Sequence, residues 1–228
     1  VAIDFIRQEE GKKTNYHYVL WKGDDRTILI KHELFTPLIP ENIGSPKWMY
    51  LSSLGKHTLP FHTDIVNYLN SHPDVSLAFQ PGTFQIKLGV ETLKDIYNRT
   101  EIFFCNVEEA ERILGVNEHD KKDLMNKLHA LGPKIIIMTD GIKGAYARDT
   151  DGKMYFMPVY PHEPKERTGA GDAFSSTLVS ALALGKTLAE ALTWAPINAM
   201  SVTQQVGAQK GLLQRAKLEE LLAKAPGD

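Results

Sequence analysis

From about Pro46 onward, the chain alternates short apolar runs with longer stretches in which apolar residues recur every three or four positions. Trp48–Leu51, Val75–Phe79, Ile102–Phe104 and Ile135–Met138 are apolar on successive residues. That is how strands buried on both faces read. The intervening periodicity predicts helices over 59–70, 84–98, 107–115 and 120–131. Strand alternating with helix predicts an α/β domain: a doubly wound, mostly parallel sheet with helices on both faces. Residues 144–159 then predict a strand pair turning at Asp149–Gly152. The last third predicts helices over 171–184, 188–205 and 214–224, with Thr187 placed to cap the second through its hydroxyl.

The first 33 residues follow a different pattern. Tyr16–Leu20 and Thr27–Lys31 are rich in aromatic and β-branched residues, and Lys22-Gly23-Asp24-Asp25 between them is turn chemistry for a hairpin. A hairpin alone is marginal in water, so this one is expected to pack on a larger body or on a second subunit. The chain divides into a β lid segment, 1–35, and an α/β domain, 36–228.

Composition narrows the partners. With 26 Lys+Arg against 28 Asp+Glu and no basic run, nothing points to nucleic acid or an anionic membrane. No apolar stretch reaches the roughly 18 residues a membrane span needs. One cysteine, Cys105, lies within an apolar strand and reads as a small core residue. With no intrachain disulfide possible, a reducing, cytoplasmic setting is expected. The eight histidines show no zinc-binding spacing.

Three clusters carry candidate chemistry. Thr168-Gly169-Ala170-Gly171-Asp172-Ala173-Phe174 places two glycines around one small residue, directly ahead of helix formers. Such a turn aims backbone N–H groups at one point, and the helix N-terminus adds partial positive charge, which suits a phosphate. Asp172 falls in the first helical turn, placed to take a proton from an attacking hydroxyl. The same residues equally describe an ordinary helix start with a dipole-favoured acid. Thr139-Asp140-Gly141-Ile142-Lys143-Gly144 follows an apolar strand at the edge where α/β sheets bind ligands. Thr139, Gly141, Lys143 and Gly144 suit nucleotide phosphates, and the segment also serves as a plain turn between strands. Asn106-Val107-Glu108-Glu109 reads as a capping box, and Asn106 with Glu109 could also organise waters around a magnesium ion.

In this order and on these elements, the three clusters resemble the PfkB family of carbohydrate and nucleoside kinases. The family signature Asp-Thr-x-Gly-Ala-Gly-Asp appears as Glu166-Arg167-Thr168-Gly169-Ala170-Gly171-Asp172, and the match runs on through Asn198-Ala199 and Val206-Gly207-Ala208. The resemblance implies a ribokinase-like fold and ATP-dependent, Mg2+-dependent phosphorylation of a sugar hydroxyl. Asp172 would be the base, and the amides of Gly169, Ala170 and Gly171 would stabilise the moving phosphoryl group. Thr139, Gly141, Lys143, Gly144 and Thr168 would line the ATP site, with Asn198 near the adenine. Residues 14–33 would be the lid that covers the sugar and forms a homodimer contact.

Two departures qualify the match. Glu166 and Arg167 stand where the family has Asp and Thr. The family's opening strand, with its acidic sugar-binding residue and Gly-Gly-Asn motif, is expected ahead of Val1, and the lack of an initiator Met fits a fragment or a processed product. An adenosine-type nucleoside kinase and a non-catalytic nucleotide-binding relative are the alternatives. Ser52, Ser53, Gly55 and Gln80-Pro81-Gly82 are expected to border the acceptor.

Overall fold

The computed structural model describes residues 3–22, 25–31, 33–117 and 120–226. Among these described residues, eight strands and eight helices follow in the order β1 (Tyr16–Lys22), β2 (Asp25–Lys31), β3 (Trp48–Leu51), α1 (Leu59–Ser71), β4 (Ser76–Phe79), α2 (Thr83–Leu88), α3 (Lys94–Arg99), β5 (Thr100–Asn106), α4 (Val107–Leu114), α5 (Lys121–His129), β6 (Ile135–Thr139), β7 (Ala145–Arg148), β8 (Met154–Met157), α6 (Ala170–Ala183), α7 (Leu188–Thr203) and α8 (Arg215–Leu222). A single turn of 3-10 helix, Gly141–Lys143, joins β6 to β7.

Strands β3 to β8 form one six-stranded sheet in sequential order. The pairs from β3 to β6 are parallel, whereas β6–β7 and β7–β8 are antiparallel. The sheet is therefore mixed, with a parallel half that carries the crossover helices. Its successive apolar residues are explained by what lies on each side. Leu77, Phe79, Phe103, Cys105, Ile136 and Met138 face a layer with Ile65 and Leu69 of α1, Ile96 and Tyr97 of α3, and Leu124 and Leu128 of α5. Their neighbours Ala78, Ile102, Phe104 and Ile137 face Phe174 and Leu178 of α6 and Leu192, Ala195 and Ile197 of α7. A period of two thus supplies two cores.

One expected element is corrected. The helix anticipated over 84–98 is two, α2 and α3, because Gly89 takes φ +84° directly after Leu88. That left-handed geometry ends a helix and suits glycine. Thr187 caps α7 as expected: its Oγ1 accepts from Glu190 N at 3.3 Å, and the Glu190 carboxylate accepts from Thr187 N at 2.7 Å.

The N-terminal hairpin pairs β1 with β2 antiparallel, Tyr18 opposite Leu29, and forms a sheet of its own. Its anticipated turn residues Gly23 and Asp24 lie outside the described residues. Tyr16, Tyr18, Leu20, Leu29 and Ile30 are all exposed on it.

Candidate active site

The carboxyl ends of three parallel strands meet at one edge. Gln80 follows β4, and its N–H bonds the Leu51 carbonyl at the end of β3 (2.9 Å). Asn106 ends β5 and Thr139 ends β6, paired in register. Facing them is the N-terminus of α6. A cleft of about 210 Å3 lies between, lined by Gln80, Asn106, Glu109, Thr139, Gly171 and Asp172 among others. Residues from three separate sequence clusters are thereby brought to one space at the sheet edge where open α/β folds hold ligands.

The start of α6 is built from backbone constraints. Gly169 holds φ +82° at the N-cap, and its carbonyl accepts from Ala173 N at 2.9 Å. The Ala170 amide points to the Arg167 carbonyl at 3.4 Å. Helix geometry leaves the amides of Gly171 and Asp172 for a ligand, with the helix dipole behind them. Ala170 is accordingly a structural member of the turn, while Gly169 and Gly171 border the cleft. Beside the turn, the Thr168 Oγ1 is buried and has no hydrogen-bond partner among the described residues. A buried hydroxyl left unpaired is costly, so an oxygen-rich ligand suits this position.

Asn106 and Glu109 are locked as a capping box. Asn106 Oδ1 accepts from Glu109 N at 2.8 Å, and Glu109 Oε2 accepts from Asn106 N at 2.9 Å. Burial pushes the Glu109 carboxyl above its ordinary range, against the opposing pull of the Asn106 N–H, and the nearby Asp172 adds to the rise. The motif caps α4, and Glu109 also borders the cleft.

Other expected site residues do not line this cleft. Gly141 takes φ +55° and faces open space, whereas a β-carbon at Gly144 would lie 2.4 Å from the Met157 carbonyl oxygen. Gly144 is thus required by the approach of β8. The Lys143 ammonium sits 3.7 Å from Asp140, which Lys121 also approaches at 3.2 Å, and its side chain is largely exposed. Asn198 is buried between elements: its Nδ2 donates to Thr177 Oγ1 at 2.7 Å, and its Oδ1 accepts from Leu213 N at 2.9 Å. Its amide is occupied in bracing α6, α7 and the segment before α8. The substituted Glu166 also has a local task, accepting from Gly207 N at 2.7 Å.

Tyr50, Phe104, Cys105 and Ser175 belong to this region and were not singled out from sequence as site residues. Phe104, Cys105 and Ser175 line the cleft, and Tyr50 bonds Gln80 behind it. Their position at strand ends, or on the first turns of α6, is the signal that could have found them.

Among the described residues no cluster of three or more His, Cys, Asp or Glu side chains could enclose a metal ion. Magnesium does not need such a cage: it keeps several waters and binds through one or two carboxylates plus substrate phosphates. The partly desolvated Glu109 and the exposed Asp172 at one cleft fit that donor set.

A mixed α/β sheet with a glycine-led helix N-terminus over its parallel edge defines an anion-handling α/β domain. The model of the pfkB family carbohydrate kinases matches residues 1–215, and the chain belongs to that family. It is 28% identical to ribokinase of Bacillus subtilis over 216 residues, covering 91% of this chain and 68% of that protein. It is 32% identical to cytidine kinase of Thermococcus kodakarensis over 118 residues, covering 51% of this chain but only 42% of that enzyme. Among solved structures, ribokinase of Giardia lamblia superposes with a TM-score of 0.80 at 21% identity, covering 96% of this chain and 74% of that one. Ribokinase of Arabidopsis thaliana, complexed with ribose and ATP, superposes with a TM-score of 0.76 at 20% identity, covering 92% and 69%. These likenesses establish the ribokinase-like fold.

Proposed function

We infer that the protein is an ATP-dependent kinase that phosphorylates a hydroxyl of a small sugar. The observation that carries this reading is the convergence of Asp172 and Gly171 at the start of α6 with Asn106, Glu109 and Thr139 across one cleft. Asp172 takes the proton of the acceptor hydroxyl as its oxygen bonds to the γ-phosphorus. The bond to the β,γ-bridging oxygen breaks, and ADP leaves. The N-terminal amides of α6 stabilise the charge on the moving phosphoryl group, so catalysis rests on positioning and electrostatics.

Thr139, Gly141, Gly144, Thr168 and Lys143 lie on the nucleotide side in this reading, as does the loop that Asn198 braces. Glu109, and Asn106 through water, would hold Mg2+. The ion would supply charge neutralisation for the phosphates. The β lid covers the acceptor and pairs with the lid of a second copy. Among the described residues no helix is long and apolar enough to cross a membrane. A lone buried thiol, Cys105, suits a reducing cytoplasm.

The nucleoside reading is favoured by the 32% identity to a cytidine kinase. A panel of pentoses, hexoses, ketoses and nucleosides with MgATP, read by ADP release, separates the two. Turnover with a sugar supports the first reading, and turnover with nucleosides alone replaces it. ATP binding without turnover on any alcohol leaves a non-catalytic relative.

A further inference from the structure

Gln80 follows β4 and reaches α6 across the cleft: its Nε2 donates to Asp172 Oδ1 at 3.1 Å. Its other end is held as well, since the Tyr50 hydroxyl on β3 donates to Gln80 Oε1. The orientation of the carboxamide follows from its partners. The amide NH2 donates to an Asp172 oxygen and the amide oxygen accepts from the Tyr50 hydroxyl, so each end of the carboxamide meets a partner of the matching kind. Burial, reinforced by the negative charge of Asp172, raises the Tyr50 phenol pKa, and the phenol remains protonated. Ser175, also on α6, opposes that rise. Two strands and one helix are thereby joined through a single amide.

We propose that Gln80 is a positioning residue for Asp172: held by Tyr50, it occupies Oδ1 and leaves Oδ2 to take the proton of the acceptor hydroxyl. The inference rests on the kinase reading above. A base whose geometry is set by a third group is a recurrent device, because a misplacement of about 1 Å can cost a hundredfold in rate. Gln80 suits the task chemically. It donates to the carboxylate without adding charge, and its planar amide transmits the constraint from Tyr50 in one orientation only.

The test uses the full chain with Gln80→Leu, Tyr50→Phe and the double variant, assayed with MgATP and the acceptor that responds in the panel. Gln80→Leu is expected to lower kcat by about ten- to a hundredfold, with KM for ATP and acceptor within about twofold of wild type. Tyr50→Phe is expected to lower kcat by about threefold, and the double variant to be no slower than Gln80→Leu, because Tyr50 acts through Gln80. A rise in KM at unchanged kcat, or full additivity of the two substitutions, overturns the proposal.

A second measurement needs no turnover and no folded Gln80→Leu. The side-chain amide resonances of Gln80, assigned by triple-resonance NMR, are expected to move in both Tyr50→Phe and Asp172→Asn, while those of Gln85 stay in place. An unmoved Gln80 amide in Asp172→Asn sinks the relay. If wild-type protein phosphorylates no alcohol in the panel, it is the kinase reading that has failed, and the amide shifts alone decide whether the relay exists.

Discussion

Gly169 and Ala208 approach so closely that a β-carbon on Gly169 would lie 2.7 Å from the β-carbon of Ala208. Gly169 also holds a φ of +82°, a region that L side chains rarely adopt. Glu166 draws the same segment inward by accepting from Gly207 N. The 206–208 turn is thus one wall of the glycine turn that begins α6. The Glu found where the family has Asp is occupied in holding that wall.

Two constraints act on Gly169, so Gly169→Ala is expected to destabilise the protein by about 2 kcal/mol or more, from left-handed strain plus overlap. Urea denaturation measures it. Gly171 has open space where a β-carbon would go and no positive φ. Gly171→Ala should fold with near-native stability yet lose turnover, because the added methyl group enters the cleft. Equal stability losses for the two would remove the distinction between a structural and a ligand-facing glycine.

On the kinase reading, Asp172→Asn removes the proposed base and keeps the shape. The expected fall in kcat is about a hundred- to ten-thousandfold, the usual worth of a general base. ATP affinity by calorimetry should hold within a few-fold. Turnover within tenfold of wild type would place the base elsewhere.

The resemblance places Asn198 near the adenine, and in the structure its amide bonds Thr177 and Leu213. Asn198→Ala leaves buried partners unpaired and is expected to cost about 2–4 kcal/mol of stability. Thermal melts with and without ATP check it. A variant that melts normally but binds ATP poorly would return Asn198 to direct nucleotide contact.

The parallel half of the sheet was legible because its strands are apolar on successive residues, and each residue finds a core: Phe103 on one side, Phe104 on the other. The glycine turn, the Asn106–Glu109 box and the strand-end Thr139 were legible as local chemistry. The division of 84–98 was not, because periodicity alone does not register the left-handed Gly89 that interrupts it. Nor was the Tyr50–Gln80–Asp172 relay. Its longer link spans 92 positions, and only tertiary packing brings such side chains together. Asn198 shows the converse: a motif position can be recognised while its hydrogen-bond partners stay hidden.

The exposed Tyr18 and Leu29 are cross-strand partners on the hairpin, and an isolated two-stranded sheet with apolar exposure is not self-sufficient. If the lid pairs with a second copy, the protein is a dimer in solution. Tyr18→Lys with Leu29→Lys should then yield a monomer whose α/β domain melts as before. Light scattering coupled to size exclusion reads the mass. A wild-type monomer at micromolar concentration would rule the lid contact out.

Glu109 offers a pH test with a definite sign. Burial raises its carboxyl pKa in the folded protein, outweighing the Asn106 N–H that favours the charged form. At low pH, where folded and unfolded chains both carry the neutral acid, the site costs nothing through ionisation. As pH rises through the ordinary carboxyl range, the unfolded chain ionises more readily than the folded one, so this group's contribution to stability falls. The loss is complete once pH exceeds the raised folded value. Glutamine at the same position keeps the capping box, since its amide oxygen still accepts from Asn106 N. Wild type should therefore lose stability relative to Glu109→Gln as pH is raised from 4, and the difference should then level off. Denaturant titrations of both proteins from pH 4 to 8 measure it. The free energy held in that partly desolvated carboxylate is what a bound cation would relieve. Mg2+ should accordingly raise the melting temperature of the wild-type–MgATP complex more than that of Glu109→Gln, and equal gains would remove Glu109 from the metal's surroundings.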